Sequence, residues 1–260
     1  MSKPTILFVT GSFASPNFYD NIVKLVTDKG YEIQVVQLRT VNKKPGALPT
    51  MYDDASYIAA LATELADQGK DVVLMSHSYG GTPATQAMEG LSKSARAKEG
   101  KKGGVVRLAY MTAVVPAEGV AAGGHLTDPD VPPTTGAMVP DADGWLIQPN
   151  PDLIADMVFN HLSHDEGLAA ARKFSQHSSV SFANELTYPG YKDVPVSYLF
   201  CEEDECVSPK IQQKGIDAIE AASGSKVDVK KIPSDHCPSY THPELALEWI
   251  ISVADKAGEE

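Results

Sequence analysis

The stretch Asp71-Val72-Val73-Leu74-Met75-Ser76-His77-Ser78-Tyr79-Gly80-Gly81 organises the rest of the chain. Four apolar residues run without interruption from Val72 to Met75, the pattern of a strand buried on both faces. A turn of small residues follows, and Thr82-Pro83-Ala84-Thr85-Gln86-Ala87-Met88-Glu89 then opens a helix. Ser78 has small neighbours two positions before it (Ser76) and two after it (Gly80). A nucleophile elbow needs that, because its strained strand-to-helix turn leaves no room for bulk at those places. The usual form is G-x-S-x-G, and here Ser76 replaces the first glycine. Such a motif recurs by chance, so its weight comes from the strand before it and the helix after it.

Working outward, apolar runs at residues 4–10, 31–38 and 105–115 read as further strands. Helical patterns lie between them. One covers about 17–29, with Phe18, Ile22, Leu25 and Val26 on its apolar face and Gly30 as its stop. Another covers about 52–67, with Ile58, Leu61, Ala62 and Leu65, and ends at Gly69. Residues 93–104, rich in Lys and Gly, read as a solvated stretch after the elbow helix. The order is βαβαβαβ, the signature of a parallel, doubly wound sheet. After Pro116 the rhythm breaks. Residues 117–150 carry many glycines and prolines, Pro129, Pro132 and Pro133 among them, and few strand-like runs. Helical patterns follow at 151–162 and 165–176. The alternation resumes with a strand at 194–201, a helix at 209–222, a strand at 226–232 and a helix at 243–256. The expected organisation is an α/β core of residues 1–116 and 193–260, with 117–192 inserted as a largely helical cap over the sheet's C-terminal edge. Loops of that length inside a domain are usually functional.

The net charge of −12 argues against nucleic acid as a partner. No run approaches the ~18 apolar residues of a membrane span, and residues 6–9 are too short a run for a secretion signal. The three cysteines, Cys201, Cys206 and Cys237, have no framework spacing, and no N-x-S/T sequon occurs. The expectation is a cytoplasmic protein with three separate thiols and a small-molecule substrate; a homodimer is compatible with the sequence. There is no G-x-G-x-x-G, and no cofactor is expected. His161 and His164 have an H-x-x-H spacing that can bind metal, but no third ligand is near in sequence, so no metal is expected.

A nucleophilic serine needs a base and a group that orients the base. In a parallel sheet these come from loops just after strands. Two such loops stand out: Glu202-Glu203-Asp204-Glu205-Cys206-Val207-Ser208-Pro209 and Pro233-Ser234-Asp235-His236-Cys237-Pro238. Among carboxylates, Glu202, Glu203, Asp204, Glu205 and Asp235 all compete, Asp235 being the one that more naturally caps a turn.

Four separated motifs resemble those of the α/β-hydrolases, closest to the branch of plant methylesterases and hydroxynitrile lyases with their bacterial and fungal relatives. They are Leu7-Phe8-Val9-Thr10-Gly11-Ser12, Ser76-His77-Ser78-Tyr79-Gly80-Gly81, Cys201-Glu202-Glu203-Asp204 with Pro209 and Gln212, and Ser234-Asp235-His236. The resemblance spans essentially the whole chain and implies an α/β-hydrolase fold trimmed to about six strands, mostly parallel, with helices on both faces. It implies Ser78 as nucleophile, His236 as general base and then acid, and Asp204 as the residue that orients His236. The backbone N–H groups of Ser12 and Tyr79 would form the oxyanion hole. Where the family often has His-Gly, this chain has Thr10-Gly11; the donors are backbone groups, so the change need not remove the hole, though it leaves the loop's conformation less defined by the resemblance. His77, the variable elbow residue, is expected to pack or hydrogen-bond locally.

The same triad serves ester hydrolysis, C–C lyase chemistry and ligand perception, so fold alone does not choose. The related lyases carry a lysine after the base histidine and a threonine at the first-loop glycine; this chain has Cys237 and Gly11. Both favour a serine hydrolase acting on a small-to-medium carboxylic ester or lactone, aromatic ones included. The alternatives are a C–C or lactone-processing enzyme of secondary metabolism, or a receptor that keeps the triad. Phe13, Trp145, Phe159 and Phe182 are the expected substrate-binding residues; Leu126, Ile147, Phe174 and Tyr188 are further residues for pocket or lid packing.

Overall fold

A computed structural model describes residues 3–127 and 136–259. Pro129, Pro132 and Pro133 lie outside the described residues. Six parallel strands form the main sheet in the order β2-β1-β3-β4-β8-β9. They are β1 (Thr5–Val9), β2 (Ile33–Val36), β3 (Asp71–His77), β4 (Gly104–Met111), β8 (Val196–Cys201) and β9 (Asp228–Ile232). Between β1 and β4 run α1 (Asp20–Asp28), α2 (Met51–Asp67), α3 (Gly81–Gln86) and α4 (Lys93–Lys98). α8 (Pro209–Ser223) links β8 to β9, and α9 (Pro238–Thr241) and α10 (Pro243–Glu259) close the chain.

β1 and β4 are buried along their whole length; both are largely apolar, and Arg107 of β4 donates to Ser197 Oγ at 2.9 Å. Leu7, Val9, Leu74 and Tyr110 join the α2 and α8 side chains Ile58 and Ile216 in one core layer; Ile6, Phe8, Val73 and Met75 meet Ile22, Trp249 and Val253 of α1 and α10 in the other. Local signals fix where the helices begin. Thr50 and Asp53 form a reciprocal capping box at the start of α2, and Ser208 caps α8 ahead of Pro209. Gly224 ends α8 with φ of 69°, a conformation that glycine adopts without strain.

The stretch read as solvated behaves differently. Residues 93–98 form α4, capped by the Ser92 hydroxyl. Arg96 is buried there, with its guanidinium held by Asp67 at 2.6 Å and by the carbonyls of Lys102 and Gly103. Its long stem packs inward while the charge is neutralised, an outcome that composition does not reveal.

Between β4 and β8 the chain leaves the sheet. It forms α5 (Ala122–Leu126), β5 (Val139–Pro140), β6 (Trp145–Ile147), α6 (Pro151–Val158), α7 (His164–Ala171) and β7 (His177–Ser178). The two expected helices are present but shorter than their patterns. β5, β6 and β7 make a small antiparallel sheet, absent from the sequence reading because strands of two or three residues carry no periodicity. Asn150 caps α6, and Ser163 with Glu166 forms a capping box on α7.

Candidate active site

β3 ends at His77 and the chain turns sharply through Ser78, whose φ is 55°. A non-glycine residue with positive φ is uncommon and stores strain. The turn is held from outside. A side chain on Gly80 would collide with the Thr10 carbonyl, and one on Gly81 would meet the Val114 carbonyl at 2.8 Å. The Ser78 carbonyl accepts from Val114 N–H at 2.9 Å. The result is a serine hydroxyl at the sheet's C-terminal edge, only 7% exposed.

His236 follows β9 and brings Nε2 to 2.9 Å from Ser78 Oγ. Its Nδ1 lies 2.8 Å from Asp204 Oδ2, and Asp204 sits in the loop after β8. Asp204 Oδ1 accepts from the backbone N–H groups of Cys206 and Val207, each at 2.8 Å, and Oδ2 also accepts from the Thr112 hydroxyl. Of the competing carboxylates, Asp204 alone meets His236 in this way. Asp235 instead accepts from Cys237 N–H, the Thr241 hydroxyl and His161 N–H, so it braces the base loop. Thr112, with φ of 38°, is the residue sequence reasoning missed here. A threonine after a strand carries no signal of such a role. Burial alone would lower the His236 pKa, but the Asp204 carboxylate beside it holds it well above the ordinary value.

Ser12 and Tyr79, the expected oxyanion residues, line the cavity that opens over Ser78. Its volume is about 300 Å³. Phe13, Phe18, Leu126, Met138, Ile154, Met157, Val158, Phe174 and Phe182 form most of its wall. Among the described residues no Lys, Arg, Asp or Glu side chain lines it.

Of the expected substrate-binding residues, Phe13 and Phe182 are in the wall, and Trp145 and Phe159 are not. Trp145 is 2% exposed, in the small sheet opposite Ser178. Phe159 lies one layer behind the wall, against Phe18, Phe174 and Tyr240. Leu126 and Phe174 line the cavity, whereas Ile147 and Tyr188 do not. Phe18, at the entry to α1, takes a wall position that its place on an apolar helix face did not suggest.

His77 packs, as one of its two expected roles has it, against the Tyr19 and His236 rings, while its hydrogen-bond partners, Tyr19 and the His236 carbonyl, are 58 and 159 residues away. His161 and His164 do not converge. His161 bonds His242 and Glu203, and His164 bonds Asp152 and Asp156. No group of metal-ligating side chains is assembled among the described residues. Cys201, Cys206 and Cys237 are free thiols. Among the described residues no helix is long and apolar enough to cross a membrane.

The family model described as "Alpha/beta hydrolase family" matches residues 6–248 of this chain, a span that holds Ser78, Asp204 and His236. The chain belongs to the α/β-hydrolase family. Among relatives of this family, the "Probable hydrolase R7" of Phoma sp. is 36% identical over 259 residues, covering 98% of this chain and 99% of that one. A pyrethroid hydrolase of Sphingobium wenxiniae is 24% identical, covering 100% and 90%. The solved pyrethroid hydrolase of Sphingobium faniae superposes with a TM-score of 0.75 at 22% identity over the whole of both chains. Polyneuridine aldehyde esterase gives 0.74 at 18% identity, covering 97% and 100%. These superpositions show a shared hydrolase fold.

Proposed function

We propose that this hydrolase cleaves neutral, apolar carboxylic esters or lactones through an acyl-enzyme on Ser78. The observation that carries the reading is the continuous hydrogen-bonded line from Ser78 Oγ through His236 to Asp204 at the floor of an apolar cavity. Nδ1 faces an oxygen that only accepts, so the proton sits on Nδ1 and Nε2 is free to take the serine proton. Ser78 Oγ then bonds to the substrate carbonyl carbon, and the carbonyl oxygen becomes an oxyanion met by the N–H groups of Tyr79 and Ser12. Collapse breaks the C–O bond to the leaving alkoxide, which receives the proton from His236. Water, deprotonated by the same nitrogen, adds to the acyl carbon, and a second collapse releases the acid and restores Ser78. Residues 117–192 serve as the lid that supplies Leu126, Met157, Phe174 and Phe182 to the cavity.

Two further features support hydrolysis over lyase chemistry. A side chain on Gly11 would lie 3.2 Å from Ser78 Cβ, so the glycine keeps open the space over the nucleophile where the lyases resembled above carry a threonine. Cys237 lines the cavity with a thiol, a group that is never cationic and that burial keeps neutral by raising its pKa, so it brings no positive charge where those lyases have lysine. The relatives named as a pyrethroid hydrolase and as an esterase agree with an ester substrate. The described part of the wall carries no Lys, Arg, Asp or Glu side chain and so favours uncharged acyl and alcohol groups, because burying an unpaired charge against it would cost on the order of several kcal/mol.

The test is a panel of p-nitrophenyl and aryl-alkyl esters, including matched pairs with and without a free carboxylate. Turnover of the neutral members with an initial burst, lost in Ser78→Ala, is expected. Undiminished turnover in that variant, or a preference for the anionic members, would overturn the proposal.

A further inference from the structure

Within the cavity wall, to which Gly11, Tyr19, His77 and His236 all belong, hydrogen bonds join two loops that the reaction needs in register. Gly11 N–H donates to Tyr19 Oη at 3.0 Å; Tyr19 Oη lies 2.8 Å from His77 Nδ1; His77 Nε2 lies 2.8 Å from the His236 carbonyl oxygen. Their protons have one consistent order. A carbonyl only accepts, so Nε2 of His77 carries a proton. The buried ring is held neutral, its pKa lowered to about 3 by burial and by the neighbouring His236, so Nδ1 is a bare acceptor. Tyr19 therefore donates its hydroxyl proton to Nδ1 and accepts from Gly11 with a lone pair. Reversing any member would set two acceptors or two donors face to face between side chains that are almost fully buried.

We infer that Tyr19 and His77 are positioning residues, a proton-ordered brace that fixes the Gly11–Ser12 backbone relative to His236. Gly11 is where such a brace matters. A Cβ built there would meet His77 Nδ1 at 3.1 Å and Ser78 Cβ at 3.2 Å, so its backbone is already in close contact with the elbow. The next amide, Ser12 N–H, is the one the mechanism asks to meet the oxyanion. Deleting the Tyr19 hydroxyl leaves Gly11 N–H and His77 Nδ1 both unpaired and buried, which a shift of the first loop relieves. Neither side chain takes part in the proton transfer. Their effect is on where a donor sits, which matters in the transition state and little in the ground state.

The inference rests on the hydrolase reading, and the experiment separates the two. The native enzyme is first tested for ester turnover and for phosphonate labelling of Ser78; their absence would overturn both. Tyr19→Phe, which keeps the ring and its packing, is then compared with it. Removing an oxyanion donor outright costs roughly 10²–10³ in kcat, so a displaced donor is expected to cost about tenfold or more, with KM within about twofold. Affinity for phenylboronic acid, whose Ser78 adduct is tetrahedral, should fall by the same factor as kcat/KM. An unreactive amide isostere should bind within about twofold of wild type. Unchanged kcat, or a fall in kcat with boronate affinity retained, would overturn the brace alone. Imidazole ¹⁵N NMR of the native protein decides independently of whether the variant folds. Nε2 protonated and Nδ1 bare for His77 from pH 5 to 9 is expected; the opposite tautomer or a protonated ring would overturn the inference.

Discussion

Replacing Asp204 by asparagine should cost about four orders of magnitude in kcat with the fold intact, because the structure dictates which way the new amide faces. Oδ1 accepts two backbone N–H groups, from Cys206 and Val207, and neither can reverse its role. The amide oxygen must therefore stay on that side, and the NH₂ takes the position of Oδ2. There it meets His236 Nδ1 and the Thr112 hydroxyl. A donor facing Nδ1 forces the proton onto Nε2, which then points a hydrogen at Ser78 and cannot accept one. A wrong-tautomer triad loses roughly 10⁴ in kcat, about 5.5 kcal/mol in barrier at 1.36 kcal/mol per factor of ten. The pH profile moves too. Asp204 holds the His236 pKa up against burial, so without the carboxylate burial lowers it, and the acidic limb of the residual kcat/KM shifts to lower pH. The assay is p-nitrophenyl ester hydrolysis from pH 4 to 9, with thermal melting as the check on folding. A loss under tenfold, or an acidic limb that moves to higher pH, would refute the reasoning.

Thr112→Val should lower kcat about three- to tenfold and leave KM near its original value. It removes one donor of a charge-assisted hydrogen bond on the carboxylate, a contact worth roughly 1.5–3 kcal/mol when intact, while two backbone donors remain. Gly80→Ala should destabilise by about 1–3 kcal/mol in urea unfolding, since its Cβ has the Thr10 carbonyl in its path. Phe182→Ala should raise KM for an aromatic ester more than for an acetate ester, because the ring lines the cavity while the triad lies below it. Asp54 is buried on α2 with its carboxyl pushed up to about 7 by burial, against the lowering hydrogen bonds from Thr40. Between pH 4 and 7 the folded state thus keeps a proton that the unfolded chain has released, and stability falls as pH rises through that window. The fall is on the order of 3–4 kcal/mol at about 1.4 kcal/mol per pH unit, and Asp54→Asn should flatten it in urea melts.

The sheet was readable from its strands because a strand covered on both faces must be apolar along its length, as Ile6 to Val9 and Val72 to Met75 are. Ser78 and His236 were readable because an elbow needs small residues at fixed offsets and because loops after parallel strands share one edge. The choice of Asp204 over its acidic neighbours leaned on the resemblance. Elsewhere the local pattern was silent. Trp145 and Phe159 are as aromatic as Phe182, yet only tertiary packing decides which ring faces the cavity. Arg96 is buried in a Lys/Gly-rich stretch because Asp67, far back in the chain, and two carbonyls of the stretch itself await its guanidinium. His77 and Thr112 act through partners far along the chain, and no spacing rule encodes such contacts.

The central claim is that Ser78 attacks the ester and carries the acyl group. Intact-protein and peptide mass spectrometry after a stoichiometric p-nitrophenyl phosphonate tests it most directly. One adduct on Ser78, with loss of all ester turnover in proportion to labelling and none in Ser78→Ala, is the predicted result. Labelling at another residue, or turnover that survives a fully modified Ser78, would contradict it.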